Sequence, residues 1–298
     1  MNSYRKNVKS IALLLFPALA VYLFFLIVPV AMTIFFSFHQ WPGIQSVPLK
    51  YVGLSNYKAL FYDDLFRKSL VNVLVYVFWS LLSQIPIGFA LGFAIHKVTK
   101  GVKFFKAAFV IPMIISISAV SLLWNFIYFP ADQGVLNQFL NFLGLPELKR
   151  NWLMDPVTSL GSVIVVSTWT SIGYYMIICL SAMSALPKST LEAAEIDGAV
   201  GFRKIRSIVL PMIWGSVQVS IILVVTGVLK IFDTVYILTP NGGVNGSTIV
   251  PALLMYNNAF RYNDYGSGSA IATVIFVLSI LISAISLRLT RREKAAEF

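Results

Sequence analysis

The chain has 298 residues, enough for two soluble domains, but 58% are hydrophobic and only 12% are charged, about half the charged share of a soluble globular chain. That composition excludes a fold dispersed in water, which would expose too much apolar surface. The net charge of +11 would suit nucleic acid, yet the basic residues gather in alternate loops, as in a polytopic membrane protein, so no nucleic-acid partner is expected.

In chain order, the first apolar stretch covers residues 11–38. It follows Arg5, Lys6 and Lys9 and contains Ala18-Leu19-Ala20, the pattern of a signal-peptidase site. The apolar run continues far past a signal core, so a retained span is expected. Further stretches of spanning length cover 70–95, 104–129, 157–183, 208–238 and 266–289. In lipid, runs of this kind are helices, because each backbone group must be satisfied within its own segment. The expectation is therefore one all-α transmembrane domain over residues 1–298, with six crossings. Cys179 is the single cysteine, so no intrachain disulfide forms, and His39 and His96 lie in different loops, without metal-site spacing.

With the N-terminus inside, the inner segments hold fifteen of the 23 Lys and Arg residues and the outer loops hold eight. Both termini are therefore expected in the cytoplasm. The outer loops are short and rich in turn formers, among them Pro42, Gly43, Gly53 and Asn56 in the first, and Asn241-Gly242-Gly243 and Asn245-Gly246 in the third.

The inner loop over residues 186–211 carries the most information. Ser189 followed by Glu192 reads as a capping box, and 191–197 holds good helix formers. Gly198 and Gly201 let the chain turn out of that helix. Phe202, Ile205, Ile208 and Val209 then recur at helical spacing between Arg203, Lys204 and Arg206, and Pro211 suits the first turn of the next span. A helical hairpin with an apolar face needs a partner, and amphipathicity alone does not distinguish lipid headgroups from a protein.

Glu192-Ala193-Ala194, then Asp197-Gly198-Ala199, then Ile208-Val209-Leu210-Pro211 resembles the EAA loop of ABC-importer permeases, matching its spacing at every position. Val52-Gly53-Leu54-Ser55-Asn56-Tyr57 and Phe232-Asp233-Thr234-Val235-Tyr236-Ile237-Leu238-Thr239 are similar to stretches of the carbohydrate-uptake branch, the permeases of the maltose and glycerol-phosphate type. The glycine pair after the latter is followed by Val244 instead of that branch's proline, which changes the expected shape of this loop.

The resemblance implies a type I importer permease fold and a coupling helix that docks on a separate cytoplasmic ATPase. Glu192 would cap its helix and meet a basic group of the ATPase. Ala193 and Ala194 would keep the face small, and Gly198 would make the turn beside Asp197. Leu191, Ala199 and Phe202 would supply the docked apolar surface. The implied partners are a second permease chain, two ATPase subunits that bind ATP and magnesium, an extracytoplasmic solute-binding protein and a sugar. This chain itself would carry no cofactor and no catalytic residues. Consistent with that, it contains no G-x-x-x-x-G-K-[ST] phosphate loop.

Polar groups inside spans face cavities or partner helices. Lys230 and Asp233, spaced i and i+3, would share one side of the fifth span, either as a structural ion pair or at the substrate. Ser171 and Tyr174 on the fourth span, Trp124 and Asn125 on the third and Asn72 on the second are the other candidates for the sugar path, against a packing role for each. A secondary transporter driven by an ion gradient is the alternative, but neither repeated halves nor a second charged pair is present. A membrane anchor or assembly subunit without a transport path is the third reading.

Overall fold

The protein, a computed structural model, is described over residues 2–44, 46–98 and 100–296, with side chains over 11, 13–44, 46–98 and 100–285. The basic residues counted at 5–9 and 288–294 lie outside the described side chains. In chain order the helices are α1 (Asn2–Tyr22), α2 (Val28–Ser37), α3 (Ser55–Tyr62), α4 (Asp64–Lys97), α5 (Val102–Ile114), α6 (Ile117–Ile127) and α7 (Val135–Phe142). They continue as α8 (Ser159–Ser184), α9 (Lys188–Ile196), α10 (Gly201–Lys204), α11 (Leu210–Met212), α12 (Trp214–Leu229), α13 (Asp233–Leu238), α14 (Pro251–Tyr256) and α15 (Tyr265–Ala296). Widened π turns join α1 to α2, α10 to α11, and follow α14. Strands β1 (His39–Gln40) and β2 (Lys50–Tyr51) pair antiparallel, His39 opposite Tyr51.

Among the described residues, four segments are long and apolar enough to cross a membrane by themselves: Leu13–Ser37, Asp64–Lys97, Ser159–Ser184 and Tyr265–Ile285. Two more arise from bent pairs, Val102–Ile114 with Ile117–Ile127 at 96° and Gly201–Met212 with Trp214–Leu229 at 75°. The chain is all-α and makes six crossings when each bent pair counts as one. The sequence marks the third and fifth crossings as single apolar runs, and in the structure each run is bent. At the first bend Ile115 and Ser116 are extended (ψ 140° and 134°), three residues after Pro112, whose ring lacks an N–H and crowds the carbonyl four residues back. At the second, Ile213 leaves the helical region (ψ 9°) two residues after Pro211. The fifth crossing also ends early, because Phe232 (φ −134°, ψ −60°) separates α12 from α13. An apolar run keeps a segment in lipid but says nothing about its straightness.

The chain forms two compact units. One comprises residues up to Asp63 with Met255–Val274, the other Asp64–Leu254 with the segment from Ile275. In the first unit, Gly53 takes a left-handed turn (φ 55°) into α3. Asn56 then donates to the carbonyls of Ser37 and His39 (2.9 and 3.0 Å), and Tyr57 bonds the Ser37 hydroxyl (2.6 Å). The Gly-Leu-Ser-Asn-Tyr stretch thus satisfies carbonyls left open at the end of the first crossing.

The second unit is built on α4 against α8. Gly88 and Gly92 let the two backbones approach, since a Cβ on Gly88 would sit 2.8 Å from Tyr175 Cβ, and one on Gly92 3.0 Å from the Met176 carbonyl oxygen. Small residues four apart are the means of close packing in lipid, where no hydrophobic force draws helices together. Tyr76 and Ser167 share a buried hydrogen bond, and Ser83 meets Thr168 at 3.0 Å. Gly173 accepts α5 in the same way, its Cβ position lying 2.0 Å from the Phe109 carbonyl oxygen.

The loop after α13 folds inward. Thr248, Ile249, Val250 and Leu253 are buried. Asn241, Asn245, Gly242, Gly243 and Gly246 all have positive φ, the left-handed turns that Asn and Gly tolerate.

Candidate functional site

The motif-bearing loop forms a stapled hairpin. Pro187 precedes α9 at the N-cap position and no side chain caps it, so the capping box expected of Ser189 and Glu192 is absent. Proline presets the helical entry one residue earlier, placing Ser189 in the first turn. The helix closes when Gly198 and Gly201 take positive φ (78° and 58°), with Ala199 N–H donating to the Ala194 carbonyl (2.8 Å), a glycine C-cap. Lys204 Nζ then donates to Glu195 Oε1 at 2.7 Å, locking α10 against α9. The Lys204 ammonium, by that hydrogen bond and by its charge, holds the Glu195 carboxyl below the usual carboxylate range, with a smaller contribution from Lys97.

Behind the hairpin lies a cavity of about 330 Å³, lined by Phe93, His96 and Lys97 of α4, Met183 of α8, and Leu191 and Val200 among others. Leu191 and Ala194 therefore turn toward the chain itself, and Ala194 is buried. Glu192, Ala193, Asp197 and Gly198 are exposed and Ala199 is half-buried. The most exposed large apolar side chains of the hairpin are Ile196, Val200 and Phe202, by 87, 65 and 75%, with Val200 at the rim of that cavity. Sequence reasoning singled out Phe202 and missed the other two. Ile196 sits three and four residues after Ala193 and Glu192, and that one-face spacing was the available signal.

The polar candidates within the crossings fall into four groups. Trp124 lies edge-on to Trp169 (5.8 Å between ring centroids), its indole N–H buried without a partner. Its neighbour Asn125 lines a cleft of about 700 Å³ with Tyr128, Phe129, Asn151, Thr239 and Asn241. Ser171 and Tyr174 lie one turn apart on α8, half-buried and exposed respectively. Lys230 and Asp233 are both exposed, but Lys230 ends α12 as its C-cap while Asp233 opens α13, and they form no ion pair among the described residues. The expected shared face fails because the helix breaks between them.

Asn72 has a structural part. Buried, it donates to the carbonyls of Gly246 and Ile249 (3.1 and 2.9 Å), clamping the inward loop. Lys68 bonds the Asn245 carbonyl (2.7 Å), and Thr248 the Thr239 hydroxyl (2.7 Å).

Residues 6–294 match the family described as "Binding-protein-dependent transport system inner membrane component". Over 284 residues the chain is 34% identical to the probable ABC transporter permease protein YurN of Bacillus subtilis, covering 95% of this chain and 96% of the relative. It is 31% identical to the trehalose/maltose transport system permease protein MalF of Thermococcus litoralis, covering 94 and 92%. Its backbone is similar to that of a bacterial ABC transporter involved in the import of the acidic polysaccharide alginate, with a TM-score of 0.83, 23% identity and 98% of each chain covered. A bacterial alginate ABC transporter in complex with an alginate pentasaccharide-bound periplasmic protein matches equally well (TM-score 0.83, 23% identity, 96% of each chain). The fold is that of a type I ABC-importer permease.

Proposed function

The chain belongs to the family of inner membrane components of binding-protein-dependent transport systems, and from that premise we propose that it forms one half of the pore of an ATP-driven importer of a mono- or oligosaccharide. A second permease chain completes the pore, two cytoplasmic ATPase subunits drive it, and an extracytoplasmic binding protein delivers the sugar. Both termini and the hairpin over 186–211 lie in the cytoplasm. The observation that carries this reading is the hairpin, a stapled helix and turn at motif spacing whose outward face presents Ile196, Val200 and Phe202.

Nucleotide and magnesium are held by the partner ATPase, since this chain has no phosphate-cradling loop. Its own residues transmit force. The ATPase grips the exposed apolar face, with Glu192 and Asp197 beside it for polar contact. The Glu195–Lys204 pair and the two glycine turns keep α9 and α10 moving as one piece. Leu191 presses on the base of α4 and α8, and the bend at Ile213 passes the displacement to α12. Sugar passes Asn125, Trp124, Ser171 and Tyr174, whose amide, hydroxyl and aromatic groups suit a ring with polar edges and apolar faces. Lys230 and Asp233 offer further polar contacts where the fifth crossing breaks.

Reconstitution of the chain with its permease partner, ATPases and binding protein into proteoliposomes tests this. Uptake of labelled sugar is expected only with ATP and all components present. Uptake that persists without the ATPase and follows a proton or sodium gradient would overturn it.

A further inference from the structure

Helix α7 follows the third crossing directly, with only residues 128–134 between it and the end of α6. Its polar side is used up within the chain. Asn137, buried, donates to the carbonyls of Ala131 and Arg150 (2.9 and 3.0 Å) and accepts from the Trp152 indole (2.8 Å). Gln138 donates to the Asp132 carbonyl (3.1 Å), and Asn141 and Lys149 both donate to the Asp132 carboxylate (3.0 and 2.7 Å). The helix is thereby fixed in rotation, and its other side is presented outward by construction. That side consists of Val135, Phe139, Phe142 and Leu143, at helical spacing and without a charge, with Phe142 85% exposed.

We propose that this face is an interfacial anchor, seated at the headgroup–acyl boundary of the bilayer at the end of the third crossing. Two observations point to lipid as the cover. On α6, Leu123 and, one turn before it, Ala119 are exposed and lie outside the 700 Å³ cleft, an uncharged strip such as a crossing turns to lipid. The place in the chain, immediately after a crossing, sets α7 at membrane–water height. Asn137 ties this anchor to Arg150 and Trp152, which flank Asn151, a wall of the 700 Å³ cleft. The bilayer surface therefore sets the position of that wall. The inference goes beyond the importer reading and does not depend on which side of the membrane α7 occupies.

The test uses the assembled importer in lipid nanodiscs, with Cys179→Ala as background. Phe142→Cys and Leu143→Cys each carry an environment-sensitive fluorophore, with Gln133→Cys as the polar control. The labels at 142 and 143 are expected to be quenched several-fold more by doxyl-labelled phosphatidylcholine than the label at 133, and several-fold less by iodide. Iodide quenching equal to that at 133 would overturn the proposal. So would shielding from both quenchers, the mark of a protein cover, or protection that arises only when the binding protein is added. If one variant fails to assemble, the other reads the same face.

Discussion

Replacing Gly198 with valine isolates the turn that shapes the coupling hairpin. A Cβ at this position meets nothing within 4 Å, so no clash contributes. The whole effect comes from φ of 78°, which costs an L-residue about 1–2 kcal/mol and is least tolerated by a β-branched side chain. That energy shifts the population of the correctly folded hairpin by a factor of roughly five to thirty. Because Gly198 is exposed and outside the crossings, membrane insertion and helix packing should be unchanged. Sugar uptake by proteoliposomes, alongside the ATPase rate stimulated by binding protein, reads the consequence. The Val variant is expected to lose transport by about five- to thirtyfold, whereas Gly198→Asn, which tolerates the left-handed region, stays within about twofold. Wild-type uptake by the Val variant would refute the reasoning, and so would an Asn variant as impaired as the Val variant.

Gly88→Val places new carbons against Tyr175 and Met176. It should destabilise the detergent-solubilised protein by about 1–3 kcal/mol, seen as a lower thermal midpoint, while Gly161→Ala, in open space, should not. Asn72→Ala removes one donor from the buried Gly246 and Ile249 carbonyls, the first of which keeps the Ile249 N–H, and should cost about 1–3 kcal/mol. Its sugar-competition profile should match wild type, and a changed preference would return Asn72 to the substrate path. The Glu195 carboxyl is held below its ordinary value, so its contribution to hairpin stability is complete above the unfolded value of about 4.3 and fades only as pH falls through the lower folded value. The pair's contribution to amide-exchange protection of residues 188–204 should therefore be constant between pH 6 and 8 and fall on the acid side, and Glu195→Gln should lower protection at pH 6–8 and abolish the acid-side fall.

Much of the architecture is written in the sequence because lipid allows so few solutions. An apolar run of spanning length must be a helix, which is why six runs mark six crossings. The bends at Ile115–Ser116 and Ile213 were not legible, since proline permits a kink without setting its place or angle. The break at Ile231–Phe232 carries no proline or glycine at all, and so the i, i+3 spacing of Lys230 and Asp233 misled. The inward loop was hidden for another reason. Its apolar stretch from Ile249 to Met255 is too short to span, and its asparagine–glycine pairs read as surface turns. In the hairpin, the glycines identified the turn from conformational need alone. Which side of α9 faces outward depends on where α4 and α8 end, and this is why Leu191 and Ala194 turn toward the chain while Ile196 stands free.

The most direct test is crosslinking from Phe202→Cys, in a Cys179→Ala background, in intact cells and in the purified importer. The ATP-binding subunit should be captured in both, at a yield that changes between nucleotide-free and ATP-bound states, with residue 202 closed to impermeant thiol reagents added outside. Labelling of residue 202 from the external side, or crosslinks that never include a nucleotide-binding chain, would contradict the account.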